Sequence, residues 1–157
     1  QAKDDPIYSI HNEVGYNFRL TNIQAALGLA QLESLSKYIK KKKIIHERYK
    51  AKINKIKYLS ISNTPYYAVC NYWLNILEIN KILSKKKLLK IIKYLRKNGI
   101  ETKPIWYPNH LQKKYRNHQT YKLDKVNKIC QQRLCLPSSS QLTKKQQDFI
   151  CSKLKNI

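Results

Sequence analysis

The sequence predicts an α/β fold, a mixed α+β layer fed by a long helix, on three observations. Lys85–Lys97 carries Leu88, Ile91, Ile92 and Leu95 at i, i+3, i+4, i+7 with lysines on its other faces, the pattern of an amphipathic helix. Branched and aromatic segments stand on either side of it, at Cys70–Ile79 and Ile100–Trp106, so the local unit is strand–helix–strand. Ahead of this unit, residues 21–57 keep a helical spacing.

Taken in order, residues 1–20 lack periodicity, contain Pro6 and Gly15, and read as a looped lead-in. Thr21 or Asn22 can cap the next helix through a side-chain oxygen. Its stripe of Ile23, Ala26, Leu27 and Ala30, extended by Leu35, is built on small residues. Such a stripe suits either close helix–helix or subunit contact or plain core packing. Ile45, Tyr49, Ile53 and Ile56 continue as one apolar stripe, with the lysines at 40–43 as the wet face and His46 on the surface. Ser, Asn and Pro65 make Tyr58–Tyr67 a loop. Ser84 caps the clearest helix and Gly99 ends it. Pro104 and Pro108 stiffen Ile105–Tyr107, Lys122–Arg133 is a further helix, and Leu134–Leu136 a short strand. Pro137 and three serines form a turn, and Thr143 with Gln146 matches a capping box opening the last helix, whose inner face is Phe149, Ile150 and Leu154.

The 157 residues carry a formal charge of +23 and are 42% hydrophobic, enough to bury a core. No apolar run reaches the roughly 18 residues of a membrane span. Residues 1–36 net −2, whereas 37–57 net +9 and 81–157 net +17. Lysines outnumber arginines 27 to 5, although groove and phosphate readers favour the arginine fork. The charge therefore reads as a solvated coat; the alternative is a lysine-rich helical module for nucleic acid or an anionic surface, whose binding would fall steeply with salt. The four cysteines have neither CxxC nor zinc spacing, so reduced thiols in the cytoplasm are expected and no metal site. There is no GxSxG, P-loop or GxGxxG. With no methionine, the chain reads as a piece that starts partway through a larger protein.

Three segments then carry a resemblance. Glu13-Val-Gly-Tyr-Asn-Phe-Arg-Leu-Thr-Asn22, running into its helix, is similar to the GYNYR segment of the DegT/DnrJ/EryC1/StrS family of pyridoxal-phosphate-dependent sugar aminotransferases. Lys103-Pro-Ile-Trp-Tyr-Pro-Asn-His-Leu-Gln112 resembles that family's C-terminal substrate loop, and Leu134-Cys-Leu-Pro-Ser-Ser-Ser-Gln-Leu-Thr143 its LCLPSGS-x-LT element. The opening Gln1-Ala-Lys-Asp-Asp-Pro6 further resembles the subgroup that makes amino sugars for bacterial surface glycans, on the routes to legionaminic acid or bacillosamine.

The resemblance implies the C-terminal small-domain portion of a fold-type-I enzyme: residues 1–20 a lead-in from a large domain, 21–57 a helical connection and dimer contact, and 58–157 the small α/β domain. It implies a cytoplasmic homodimer with shared active sites, in which nitrogen from an amino acid such as glutamate is handed to a nucleotide-linked 4-keto or 3-keto sugar. Asn17 and Arg19 would bind the cofactor, the Asn17 amide reaching the phosphate of the neighbouring subunit's pyridoxal phosphate and the Arg19 fork suiting a phosphate or a nucleotide-sugar diphosphate. His110, Trp106, Tyr107, Tyr8 and His11 would face the sugar-nucleotide. The Schiff-base lysine of the family lies upstream, so no catalytic residue is expected here and the chain should not transaminate alone. Lys113 stands where the family has proline and Ser139 where it has glycine, leaving the sugar preference open.

Overall fold

The computed structural model describes residues 4–5, 7–81 and 83–157; of the opening hexapeptide only Asp4 and Asp5 are described. Helices α1 (Asn22–Glu33) and α2 (Leu35–Ile53) lead to strands β1 (Leu59–Ile61) and β2 (Asn75–Ile79), then helix α3 (Lys85–Lys97) and strand β3 (Lys103–Pro104). A 3-10 turn at Asn109–Leu111, helix α4 (Val126–Gln131), strand β4 (Arg133–Leu136) and helix α5 (Lys144–Leu154) complete the fold. The sheet order is β1-β2-β4-β3 with every neighbouring pair antiparallel. β2 and β3 therefore run parallel with β4 between them, so the expected strand–helix–strand unit is a split one.

Alternation along the strands decides which face is inner. Leu59, Ile61, Leu77, Ile79, Leu134 and Leu136 are buried with Ile45, Tyr49 and Ile53 of α2, Leu88, Ile92 and Leu95 of α3, and Ile150 and Leu154 of α5. The opposite face carries Glu78, which accepts from Ser62 Oγ (2.8 Å) and pairs with Arg133. The caps follow the sequence: Thr21 and Thr143 each form a full capping box, with Gln24 and Gln146, and Ser84 accepts from Lys87 N–H. Gly99 takes φ +72 just past α3, the left-handed stop that glycine accommodates.

Several expectations are corrected. Tyr58–Tyr67 is not all loop, because Leu59 and Ile61 bury their alternate side chains and pair with β2. The strand expected over Cys70–Ile79 shrinks to Asn75–Ile79, since Tyr72 at φ +54 leaves the extended region. Ile100–Trp106 contributes only Lys103–Pro104, where the proline can donate no ladder bond. The helix expected over Lys122–Arg133 starts at Val126, after a left-handed Lys122 (φ +49), and ends at Gln131. Phe149 is 46% exposed, and Gln147 and Cys151 take the inner positions of α5 beside Ile150 and Leu154. His46, expected on the surface, is buried. Core packing does not explain the α1 stripe: no residue of α1 is buried.

α2 and α5 are clamped by Asp148, whose carboxylate lies 2.7 Å from both Lys52 Nζ and Arg48 Nη2. The hydrogen bond from Lys52 leads and desolvation opposes it, and the hydrogen bond from Arg48 with the charges of both cations keeps this carboxyl below its ordinary value. A depressed carboxylate stabilises the fold above its unfolded pKa and loses that contribution as pH falls through the folded one. Asp148→Asn is therefore expected to lower stability modestly at neutral pH, where the carboxylate's contribution is fully present, and to flatten the acid limb of the stability curve below about pH 4, read as urea midpoints against pH.

Candidate functional site

The lead-in loop folds on its own acids. Asp5 Oδ1 accepts from the N–H groups of Ile7 (2.8 Å) and Tyr8 (2.7 Å), while Asp4 Oδ2 accepts from Asn12 N–H (2.8 Å). The loop is then tied to the segment 103–112 by a residue to which sequence reasoning gave no role. Gln112, buried, donates Nε2 to Ser9 C=O (2.8 Å) and accepts His11 N–H at Oε1 (3.1 Å). Backbone groups two residues apart on one edge are what a neighbouring strand would pair, and here one side-chain amide takes the place of that strand. The only sequence signal was its position at the end of the Lys103–Gln112 segment.

This clasp brings Tyr8 to Tyr107 edge-to-face, with ring centroids 6.4 Å apart. Lys85 Nζ sits 4.9 Å from the Tyr8 ring centroid. Burial, and secondarily the Asp5 carboxylate, push the Tyr8 phenol above its ordinary value, so at neutral pH it remains an O–H donor. His11 lines an open cleft of about 600 Å³ with Gly15, Tyr16, Phe18 and Tyr115. His110, in the 3-10 turn, lines a second cleft, and Asn109 and Tyr115 border both. Trp106 lies on a third, against Trp73. Tyr8, Tyr107, His11 and His110 are thus neighbours around one clasp, but the two histidines face different clefts.

Asn17 and Arg19 do not themselves line these clefts, although Tyr16 and Phe18 on either side of Asn17 line the first, and both lie on the exposed stretch before α1. Asn17 Oδ1 accepts Arg19 N–H at 2.8 Å, and Arg19 takes φ +61, an uncommon conformation for a branched-free charged residue that this turn supports. The turn engages the amide oxygen of Asn17, and the segment also presents the amide N–H₂ and a guanidinium that makes no ion pair among the described residues. Ser139, where glycine was expected, does not have a positive φ, so serine fits the turn without left-handed strain. No group of three or more His, Cys, Asp or Glu among the described residues could hold a metal. All four cysteines are free thiols.

The sequence description of the DegT/DnrJ/EryC1/StrS aminotransferase family matches residues 2–155. The chain belongs to the DegT/DnrJ/EryC1/StrS aminotransferase family. It is 31% identical over 163 residues to EpsN of Bacillus subtilis (strain 168), classed by name with pyridoxal phosphate-dependent aminotransferases, covering 100% of this chain and 41% of that protein. It is 30% identical over 148 residues to the GDP-perosamine synthase of Escherichia coli O157:H7, covering 92% of this chain and 38% of that one. Among solved structures, Helicobacter pylori PseC, an aminotransferase involved in the biosynthesis of pseudaminic acid, superposes with TM-score 0.74 at 21% identity, over 99% of this chain and 42% of PseC. That likeness shows the shared fold of the family's aminotransferases. The chain spans about two fifths of the length of the curated family members it matches. Among its described residues no helix is long and apolar enough to cross a membrane.

Proposed function

We propose that the chain forms the C-terminal portion of a pyridoxal-phosphate-dependent aminotransferase that aminates a nucleotide-linked keto sugar for surface-glycan or amino-sugar synthesis. The observation that carries the reading is the Asn17–Arg19 turn: with the amide oxygen of Asn17 engaged by Arg19 N–H, the exposed amide N–H₂ and guanidinium stand side by side as donors with one positive charge. That donor set suits an anionic group such as a phosphate and disfavours a metal cation. Pyridoxal phosphate, when bound, supplies the electron-withdrawing ring on which an amino group is exchanged between donor and sugar.

The residues of this chain bind and orient. Asn17 and Arg19 would hold the phosphate by charge-assisted hydrogen bonds, from one subunit of a homodimer into the active site of the next. Their exposure ahead of an α1 with no buried residue supports a group that completes a neighbour's site. Tyr8, Tyr107 and His11, held together by the Gln112 clasp, with His110 and Trp106 on the adjoining clefts, would form the sugar-nucleotide side, where aromatic faces suit rings and the Tyr8 O–H can donate to a phosphate or hydroxyl oxygen. Residues 1–20 act in this reading as the lead-in loop, 21–57 as the helical connection and subunit contact, and 58–157 as the small domain. An amino acid such as glutamate is the donor, and the cytoplasm, where nucleotide sugars and reduced thiols coexist, is the compartment.

Mixing the chain with a large-domain fragment of a family member should reconstitute cofactor retention and amino-sugar formation. Asn17→Ala is expected to lower cofactor retention roughly tenfold in that mixture, the loss of a charged-group hydrogen bond, measured by the visible absorbance that survives gel filtration. Unchanged retention would remove Asn17 from the site.

A further inference from the structure

The two tryptophans of the chain, Trp73 and Trp106, lie 33 positions apart yet meet with ring centroids 5.6 Å apart at 42°. Both remain in solvent, 61% and 54% exposed. Indoles are large apolar groups that ordinarily gain by burial, so an exposed touching pair is a surface awaiting a partner.

The backbone is bent to place Trp73 there. Tyr72 adopts φ +54, a left-handed conformation that is an outlier for an aromatic residue. This turns the Tyr72 ring inward, 4.9 Å from the ring of buried His46, and Trp73 outward. Three contacts hold the kink: Tyr72 N–H donates to Cys70 Sγ (3.2 Å), Trp73 N–H to Asn71 Oδ1 (3.0 Å), and Lys42 Nζ to Trp73 C=O (3.0 Å). Strain at a non-glycine residue persists only where its surroundings enforce it, and it collects at ligand-binding positions. Trp106 is fixed as well, between Pro104 and Pro108, with Cys130 Sγ–H donating to its carbonyl at 3.8 Å. The rings border a cleft of about 220 Å³ that Lys103 and Ser9 also line.

We propose that Trp73 and Trp106 form a stacking platform for the base of a nucleoside diphosphate, with the Lys103 ammonium beside it for the phosphates. The proposal rests on the sugar-nucleotide reading above and adds Trp73, which nothing in the substrate loop itself supplies. A flat base can lie on the face of one indole with the other, tilted by 42°, along its edge, and stacking tolerates purine and pyrimidine alike because each has a π-face. Lys103 is 3.1 Å from Glu101, but both groups are exposed, so a diphosphate can draw the ammonium away from it.

With both tryptophans in the pair, the 157-residue chain carries its own reporter. Circular dichroism should show a coupled indole signal that is absent from Trp73→Leu and from Trp106→Leu. GDP and UDP should each quench tryptophan emission saturably, whereas inorganic pyrophosphate should not. Trp73→Leu, which keeps Trp106 as reporter, should weaken nucleotide binding roughly tenfold, and Trp73→Phe, which keeps a ring, should restore most of it. No quenching by either nucleotide while the coupled signal is intact would overturn the platform, as would equal binding by Trp73→Leu or equal quenching by pyrophosphate. The reconstitution with a large-domain fragment is scored separately. Amino-sugar formation without nucleotide quenching would sink the platform alone, and failure of cofactor retention in that mixture would sink the aminotransferase reading beneath it.

Discussion

Leu134→Ala is expected to destabilise the chain by about 2–5 kcal/mol. Leu134 is fully buried, in β4, the strand that pairs with both β2 and β3. Its register partners are Leu77, itself fully buried, and Pro104. Removing the isobutyl group leaves a void that neither strand can close without breaking ladder bonds, so the cavity cost adds to the lost transfer free energy. The urea midpoint should fall with the slope of the transition unchanged. A loss under about 1 kcal/mol would mean that the β2–β4–β3 centre is not the tightly packed middle of the fold.

Asn75→Ala is the second large effect, and it acts through polarity rather than volume. Asn75 is 1% exposed and joins three elements. Its Nδ2 donates to Ser138 Oγ (3.0 Å), which also accepts Asn75 N–H (2.9 Å) and passes its own proton to Leu136 C=O (2.8 Å). That fixes Asn75 Oδ1 toward His46 Nδ1, 3.0 Å away, so the imidazole must carry its proton on Nδ1. Alanine strands the buried Nδ1–H, a cost of about 1–3 kcal/mol, while Ser138 Oγ keeps the backbone N–H of residue 75 and its own bond to Leu136 C=O. The double variant Asn75→Ala/His46→Phe removes both ends of the first bond, so it should cost less than the two single changes summed. Additive losses would show that the imidazole and the amide are not coupled.

How far the sequence reveals this protein depends on the range of each interaction. α3 is read correctly, caps included, because its apolar period, Ser84 and Gly99 are all local. The same holds for the capping box at Thr143 and for the family motifs, which are contiguous strings. His46 is misread as a surface residue because its lysine-rich neighbours on α2 are solvated, while the residue that makes burial tolerable, Asn75, lies 29 positions away. Lys42 sits in the tetralysine run, yet its ammonium donates to carbonyls of Trp73 and Ser138, 31 and 96 positions on, and burial pulls its pKa down. Gln112 is the extreme case, with partners 101 and 103 positions back. β1 is missed for another reason: three residues are too few to display an alternation until β2 is laid beside them. At the candidate site the residue types are legible, and the grouping of Tyr8 with Tyr107 and of Trp73 with Trp106 is not.

α1 has a consequence for the life of the chain in a cell. From Val14 through Leu32 the large apolar side chains at 14, 16, 18, 20, 23, 27, 29 and 32 are each more than 60% exposed. A 12-residue helix is near the limit of what holds together in water without packing. Until something covers it, this stretch will cycle open and offer a run of apolar side chains to chaperones and proteases. Its half-life should therefore rise with the concentration of whatever covers it, making abundance a readout of assembly rather than of synthesis.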